Sequence, residues 1–289
     1  MFRALTGISV AEYRQIVREL AAPYAAAEQQ RLARPGRRRA IGGGRRFLLS
    51  LADQVLLTIV WLRQYPTFPV LGYLFGLDDR PASRTVARIL PLLEAAGRDS
   101  MRLPDPGPHY RRDLPQLLKH TPGPMVLVDS FEQREQRPAD RAEQQAWYSG
   151  NKKAHTIKSQ IAVEEERGQI GDVGASVPGP TADSTLFKAS GLRERLPPGT
   201  GLLGDSAYQS LDTLHPEGYA PRKKPKGHPR PDEDRTDNRE IARRRVKTEQ
   251  SIGRLRRFEA LTARDLQHRT GHTRRVCAVV GLVNRQLAA

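Results

Sequence analysis

The spacing of apolar residues changes near residue 115, and this change is the strongest constraint on the fold. Before it, apolar residues recur at helical intervals, as in "SLADQVLLTIVWLRQ". After it, short runs rich in β-branched residues end at turn formers, as in "GPMVLVDS" and "HTIKSQIAV". The later segments follow the order β, β, β, α, β, α. This order predicts an α/β core with a mixed β-sheet and flanking helices, preceded by an all-α region.

Three parts are predicted along the chain. They are residues 1–46 with an N-terminal helix over Val10–Leu32 and a basic arm, residues 47–115 with a helix-turn-helix, and residues 116–289 with the α/β catalytic domain. The segment at 34–46 is rich in Gly and Arg and too polar to bury a core. It is interpreted either as a flexible arm that follows DNA or as a plain linker. As an arm it would offer Arg45 and Arg46 to DNA.

The helix-turn-helix prediction rests on two short amphipathic helices separated by a tight turn after Gly76. The second helix is expected to run from about Ala82 to Ala96. Its exposed face would offer polar side chains to phosphates and base edges. These side chains are Ser83, Arg84, Thr85 and Arg88. A small three-helix bundle without a DNA role has the same pattern, so both interpretations stay open.

The net charge of +16 points to a polyanionic partner, because basic surfaces attract nucleic acid through counterion release. Both ends of the chain are basic and the middle is slightly acidic. The longest apolar stretches, such as 55–62, are too short to cross a membrane, and no signal peptide is recognisable. We therefore expect a cytoplasmic, nucleoid-associated bacterial protein with no membrane partner. The single cysteine, Cys277, excludes an internal disulfide, and its apolar neighbours predict burial.

Three carboxylates are the candidate catalytic residues. Asp129 and Asp205 each follow a predicted strand, and ligands bind at the carboxyl ends of strands in open α/β sheets. If the two strands are neighbours, the aspartates converge, and a crossing helix could add Glu249. Three clustered carboxylates repel one another unless hard cations neutralise them, which predicts Mg²⁺ or Mn²⁺. Two such ions would support cleavage and transfer of DNA strands.

Each carboxylate also has a simpler interpretation. Glu249, the single acid in the basic segment "RRRVKTEQSIGRLRRF", could form an ion pair with Arg245 one helical turn earlier. Asp129 could be a polar residue at a strand end, and Asp205 a turn former. Asp183 rivals Asp205 for the second catalytic position. We prefer Asp205, because Asp183 begins a predicted helix, where a carboxylate is favoured for capping.

At these residues the chain resembles the DDE-type transposases of bacterial insertion sequences, in the branch related to eukaryotic Harbinger elements. The resemblance covers nearly the whole chain. Its motifs are "VDSFEQREQRP", "YSGNKKAHTIKSQIAV", "VPGPTADSTLF", "LGDSAYQ", "KKPKG" and "RRRVKTEQSIGRLRRF". The resemblance implies a ribonuclease H-like catalytic core behind a helix-turn-helix, with the catalytic triad on Asp129, Asp205 and Glu249. It also implies binding to terminal inverted repeats and target DNA, divalent metal, and homo-oligomers assembled on DNA.

The chain departs from the family pattern at a few positions. In the bacterial signature Tyr-(2)-Arg-(3)-Glu-(6)-Lys, Arg245 and Glu249 fit and Arg256 replaces the Lys. Residues that differ from those common in the family are Ala182, Ala207, Ala242 and Gln250. The predicted triad is unaffected by these departures.

Further basic side chains are candidate DNA contacts. The group after "YSG" would lie near the metals and contact a DNA strand, or would simply be solvated strand ends. It comprises Lys152, Lys153, His155 and Lys158. A second group, with Lys223 and Lys224, lies in a loop, and Arg245 and Arg256 belong to the basic helix. Two other functions remain open, a DNA-binding protein without catalysis and a nuclease that cuts without joining.

Overall fold

The structure, a computed structural model, describes residues 1–33, 36, 47–105 and 125–288. Most of the basic arm predicted at 34–46 lies outside the described residues, and so do Arg45 and Arg46. The same holds for 106–124, which includes part of the predicted boundary between the helical and α/β parts. No helix in the described ranges is long and apolar enough to span a membrane.

Helices make up the described part of the chain before residue 106. They are α1 (Phe2–Thr6), α2 (Val10–Leu32), α3 (Leu51–Gln64), α4 (Phe68–Phe75) and α5 (Asp79–Asp99). Helix α2 has the bounds predicted from sequence. It begins at a capping box, in which the Ser9 hydroxyl accepts from the Glu12 amide while the Glu12 carboxylate accepts from the Ser9 amide.

Helices α4 and α5 form the predicted pair with a tight turn. Helix α4 ends at Gly76, whose φ of 64° is left-handed and therefore suits glycine. Helix α5 begins at Asp79 and ends at Asp99, so it extends three residues beyond the prediction at each end. Buried residues of α5, such as Val86, Ile89 and Leu93, recur at helical spacing on one face.

The described residues after 124 form a mixed sheet of seven strands with helices on it. The strands are β1 (Met125–Arg134), β2 (Tyr148–Ser149), β3 (Ala154–Glu164), β4 (Ile170–Val173), β5 (Val177–Pro178), β6 (Gly201–Leu203) and β7 (Gly218–Tyr219). The helices are α6 (Arg141–Trp147), α7 (Asp183–Ala189), α8 (Leu192–Arg195), α9 (Leu211–Leu214), α10 (Asp232–Leu255) and α11 (His272–Ala288). The central order is β2-β3-β1-β6-β7, and β4 and β5 also pair with β3. Strands β1 and β3 are antiparallel, whereas β6 and β7 continue in parallel from β1.

Strand β1 is longer than predicted. The sequence suggested that it ends with the carboxylate Asp129, but it continues to Arg134. The reason is that pairing with β3 extends from Val126 to Arg134, and Phe131 and Gln133 alternate inward along it. Asp129 therefore lies within β1, just beyond the part that pairs with β6.

The two faces of the sheet bury different cores. Leu127 and Leu203 pack in a large cluster with α10, α11 and the N-terminal helices. Val126 and Leu202 pack in a smaller cluster with Phe187 and other residues of α7, α8 and α9. Because adjacent strand residues point to opposite faces, this division assigns each residue of β1 to one side. The N-terminal helices thus share a continuous core with one face of the sheet.

Helices α5 and α11 approach each other closely enough for their backbones to touch. A Cβ added at Gly97 would lie 2.1 Å from the carbonyl oxygen of Cys277, and one at Gly281 would lie 2.5 Å from the Cα of Gly97. Cys277 is itself fully buried in this contact, as its apolar neighbours predicted. Nearby, the Tyr65 hydroxyl donates to Asp265 at 2.8 Å, and Asp265 also pairs with Arg275. Apolar and polar contacts therefore both join the helical part to the α/β part.

We predict that Gly97→Ala lowers the free energy of unfolding by about 1–3 kcal/mol, because the added methyl group forces α5 away from α11. Gly253→Ala is the matched control, since Gly253 lies in α10 and a Cβ there meets open space. The control should be neutral or stabilising by up to about 1 kcal/mol. Urea unfolding of both variants measures the difference, and equal effects would contradict the close packing of the two helices.

Candidate functional site

Asp129 and Asp205 converge because β1 and β6 are parallel neighbours. The last paired residues are Leu127 and Leu203. Asp129 lies two residues after Leu127, and Asp205 lies two residues after Leu203. Both aspartates therefore lie equally far beyond the last pair of the ladder. The proximity has an electrostatic consequence, because the charge of Asp205 adds to the larger effect of burial in raising the pKa of the Asp129 carboxyl. The convergence expected from the sequence is thus present in the structure.

Asp205 stands in a tight turn after β6. Its side chain accepts from the Ala207 amide at 2.8 Å, and its carbonyl accepts from the Tyr208 amide at 3.0 Å. Asp205 therefore acts as a turn former, as the simpler interpretation held. The same hydrogen bonds fix the direction of its carboxylate, so this role is compatible with a catalytic one.

Asp129 is paired with a cation from α10. The Arg245 guanidinium lies 2.9 Å from its carboxylate, and both side chains are largely buried. Burial is the largest influence on the pKa of Asp129 and raises it, whereas Arg245 and the hydrogen bond from the Ser130 amide oppose this rise. The alternative partner predicted for Arg245 was Glu249, and that prediction is wrong, since Arg245 reaches across to β1 instead.

Glu249 lies on α10 one turn after Arg245, and its side chain is exposed. Thr248 and Ile252 are buried on the side of the helix that packs in the core, and Glu249 lies next to that side but faces solvent. Within the described ranges, no group of three or more His, Cys, Asp or Glu is placed to hold a metal ion. The structure thus brings Asp129 and Asp205 together but leaves Glu249 at the margin of the site.

Asp183 belongs to a cluster on the other face of the sheet. Its carboxylate accepts from the Ser130 hydroxyl at 2.5 Å and pairs with Lys158 at 3.3 Å. Ser130 is adjacent to Asp129 in β1 and therefore points to the opposite side. The Lys158 ammonium also donates to the carbonyl of Thr181 at 2.7 Å. This placement favours Asp205 over Asp183 as the partner of Asp129.

Tyr208 is a site residue that the sequence reasoning missed. Its ring is buried in the smaller core, and its hydroxyl contacts Gln160 at 3.3 Å. Burial raises the pKa of the Tyr208 hydroxyl, and the charges of Asp183, Asp129 and Asp205 raise it further. The Tyr208 backbone amide also donates to the Asp205 carbonyl, so Tyr208 helps to fix the turn that carries Asp205. Its presence in the motif "LGDSAYQ" was the available signal.

The donor chemistry of this edge fits a divalent cation. Asp129 and Asp205 are oxygen ligands that repel each other, and hard cations such as Mg²⁺ and Mn²⁺ relieve such repulsion. The position already attracts positive charge, since Arg245 is held there. Asp129 and Asp205 would hold the ion, and Glu249 lies four residues after Arg245 on the same helix.

Two of the candidate DNA contacts on α5 are engaged within the protein. Thr85 is 6% exposed, and its hydroxyl donates to the carbonyl of Pro81. Arg88 donates to Gln54 at 2.8 Å and pairs with Glu28 at 3.3 Å. The prediction that Thr85 and Arg88 lie on an open face is therefore wrong.

The remaining candidates on α5 differ from these two. Arg84 is exposed and Ser83 is partly buried. Of the four candidates, Arg84 is therefore the one whose side chain is open to a phosphate or base edge.

The members of the basic group after "YSG" differ in exposure and in their distance from the two aspartates. Lys152 and Lys153 are exposed, and His155 packs edge-on against Tyr148. Asp129 pairs with Ile161, six residues along β3 from His155, which corresponds to about 20 Å. The prediction that this end of β3 lies near the metal ligands is therefore wrong. Lys158 does lie close to the site, but it is buried and paired with Asp183.

The loop after β7 and the end of α10 carry exposed cations. Lys223 and Lys224 are exposed, and their loop leaves the sheet at the same edge as Asp205, since Tyr219 pairs with Leu203. Arg256 is exposed where α10 ends. Their exposure is compatible with the predicted DNA contacts, which stay a prediction.

Comparisons with known proteins identify the family of the chain. Residues 128–284 match the DDE superfamily endonuclease family, and residues 47–99 match the helix-turn-helix of DDE superfamily endonuclease. A probable transposase for insertion sequence element IS702 from Microchaete diplosiphon is 31% identical over 250 residues, with 85% of this chain and 84% of the relative covered. No solved structure matches the chain. The chain therefore belongs to the DDE superfamily endonucleases, as a transposase of the insertion-sequence kind.

Proposed function

We propose that this protein binds the terminal inverted repeats of its own element and cuts and joins DNA strands by two-metal phosphoryl transfer. The observation that carries the proposal is the placement of Asp129 and Asp205 next to each other, each two residues beyond the ladder between β1 and β6. Asp129, Asp205 and Glu249 are the proposed ligands of Mg²⁺ or Mn²⁺. Bound there, the ions would activate the attacking oxygen and stabilise the departing one.

The strand order supports a ribonuclease H-like core. Strands β1, β3 and β4 follow one another in antiparallel pairs, and β6 and β7 then add in parallel on the other side of β1. We propose that residues 116–289 form this catalytic domain, behind a DNA-binding domain at 47–115 and an N-terminal part at 1–46. In this arrangement the first and fourth principal strands supply two carboxylates and α10 supplies the third.

In the proposed function, some residues take part in the chemistry and others position the DNA. Asp129 and Asp205 hold positive charge at the phosphate that is cut, and the hydrogen bonds of the Asp205 turn keep its carboxylate directed. Exposed cations hold the DNA backbone on either side, and they include Lys223, Lys224 and Arg256. Arg84 contacts the end sequence from α5. Catalysis on paired DNA ends implies a homo-oligomer with target DNA as a further partner.

A second candidate function is DNA binding without catalysis. The observation in its favour is that Glu249 is exposed and apart from the two aspartates. This alternative predicts that the protein binds the DNA ends equally well with Mg²⁺ or with EDTA and releases no cut product. A nuclease that does not join would give cut products alone.

The assignment of the triad is tested with DNA that carries the flanking ends of the element. We expect Asp129→Asn, Asp205→Asn and Glu249→Gln each to reduce cleavage and joining at least about a hundredfold, because several kcal/mol of transition-state stabilisation are lost. Both cut and joined products are quantified on gels with Mg²⁺ or with EDTA. DNA binding by the three variants should persist.

Asp183→Asn provides the discriminating comparison. It retains a hydrogen-bonding group for Ser130 but leaves Lys158 without its charged partner. We expect a lower unfolding midpoint and a smaller loss of activity than in Asp205→Asn. A result in which Asp183→Asn abolishes catalysis and Asp205→Asn does not would reverse the assignment.

Arg84 is exposed whereas Arg88 is partly buried, so replacing each of them should have a different effect. Arg84→Ala should weaken binding to the DNA ends and reduce its salt dependence while the unfolding midpoint stays unchanged. Arg88→Ala should instead lower the midpoint, because it removes the ion pair with Glu28 and the hydrogen bond to the Gln54 side-chain oxygen. Binding by fluorescence anisotropy over a range of salt concentrations, with urea unfolding, checks both. Equal midpoints in the two variants would contradict the structural role of Arg88.

A further inference from the structure

The ion pair between Arg245 and Asp129 occupies a carboxylate that the proposed function needs for metal. The two charged groups are 2.9 Å apart, and their side chains are only 16% and 15% exposed. A shielded pair of this kind is stronger than a surface pair, because less water screens it. A cation that binds Asp129 must therefore compete with the Arg245 guanidinium.

Arg245 is incompletely satisfied by Asp129. One terminal nitrogen of the guanidinium donates to the carboxylate, whereas its Nε is buried without a hydrogen-bond partner. A phosphate commonly accepts two parallel N–H hydrogen bonds from one guanidinium. DNA phosphate thus offers Arg245 a more complete set of hydrogen bonds than Asp129 does.

The position of Arg245 on α10 makes an exchange of partners feasible. Exposed basic residues lie on both sides of it in sequence, at Arg243 and Lys247, and these face the solvent from which DNA approaches. Glu249, the third proposed ligand, is four residues further on and therefore about 40° around the helix. The same helix thus carries the cation now at Asp129, the surface that would meet DNA, and the missing carboxylate.

We propose that Arg245 is a placeholder cation that couples DNA binding to metal binding. Without DNA it neutralises Asp129, and when DNA binds it moves to a phosphate and leaves Asp129 free for a divalent ion. The proposal rests on the proposed function, since it takes Asp129 as a metal ligand. By linkage, DNA and metal must each strengthen the binding of the other, and removal of Arg245 must abolish that coupling.

The first experiment measures Mn²⁺ binding to the full chain without DNA, with free Mn²⁺ followed by electron paramagnetic resonance. Arg245→Gln should bind Mn²⁺ tighter than wild type, on the order of tenfold, because the competitor has been removed. Arg244→Gln is the matched control. It removes the same charge from the adjacent residue, whose ion pair is with Glu165 rather than Asp129. The control should stay near wild type.

The second experiment repeats the titration with a short DNA duplex of arbitrary sequence. Asp129→Asn measures the Mn²⁺ held by the duplex and by other carboxylates, and this background is subtracted. Wild type should then bind Mn²⁺ on the order of tenfold tighter with the duplex than without it. Arg245→Gln should show no such increase. Should Arg245→Gln fail to fold, Arg245→Lys replaces it, with a weaker competitor and therefore a smaller coupling.

The outcomes separate this inference from the proposed function. If wild type binds Mn²⁺ at a site lost in Asp129→Asn, but Arg245→Gln binds no tighter than Arg244→Gln, the placeholder role is wrong and the metal site stands. If Asp129→Asn changes Mn²⁺ binding in no condition, both proposals fail. An increase in Mn²⁺ affinity in Arg245→Gln together with loss of the duplex effect supports the coupling.

Discussion

The site depends on a short parallel ladder between β1 and β6. Three residue pairs set the register, and that register puts Asp129 and Asp205 each two residues beyond the last pair. A slip of the pairing by one residue would offset the two aspartates along the strands by about 3.3 Å. The neighbouring features follow from the same register, since α10 can reach Asp129 only on the face that carries the larger core. Asp183 is separated from this pair because Ser130 points the other way.

The aspartates on both sides of the sheet are compensated by cations of the chain itself. Arg245 pairs with Asp129 on one face, and Lys158 pairs with Asp183 on the other. Such compensation is needed because a partly buried carboxylate without a partner loses its hydration and gains nothing in return. Tyr208 lies on the side of Asp183, in the smaller core, and its backbone amide belongs to the Asp205 turn. An incoming cation at Asp129 or at Asp183 must therefore compete with a cation of the chain itself.

Sequence patterns predicted those features that depend on neighbouring residues or on strand order. The bounds of α2 follow from a local cap and helical spacing, and the convergence of Asp129 with Asp205 follows from two apolar runs that are each followed by a carboxylate. The extension of β1 to Arg134 was missed because it depends on pairing with β3, which the apolar run alone does not encode. Thr85 and Arg88 were placed on an open face because polar residues were taken to face water. The Thr85 hydroxyl instead bonds to its own helix, and Arg88 contacts α2 and α3.

The partner of Arg245 could not be predicted from spacing on α10, because Asp129 is 116 residues away in the chain. A local ion pair with Glu249 was the natural expectation for an isolated helix. Packing of α10 on the sheet overrode it, since the buried side of the helix includes Arg245 and Thr248 but not Glu249.

The glycine contact between α5 and α11 also has a consequence for the geometry of the DNA. Backbone packed on backbone allows little sliding, so the contact fixes the distance between α5 and α11. If one duplex binds both α5 and the two aspartates, as the proposed function holds, the number of base pairs between the two contacts is fixed. Because each base pair turns the double helix by about one tenth of a revolution, inserting one between the recognised sequence and the cut bond would present a different side of the duplex to Asp129 and Asp205.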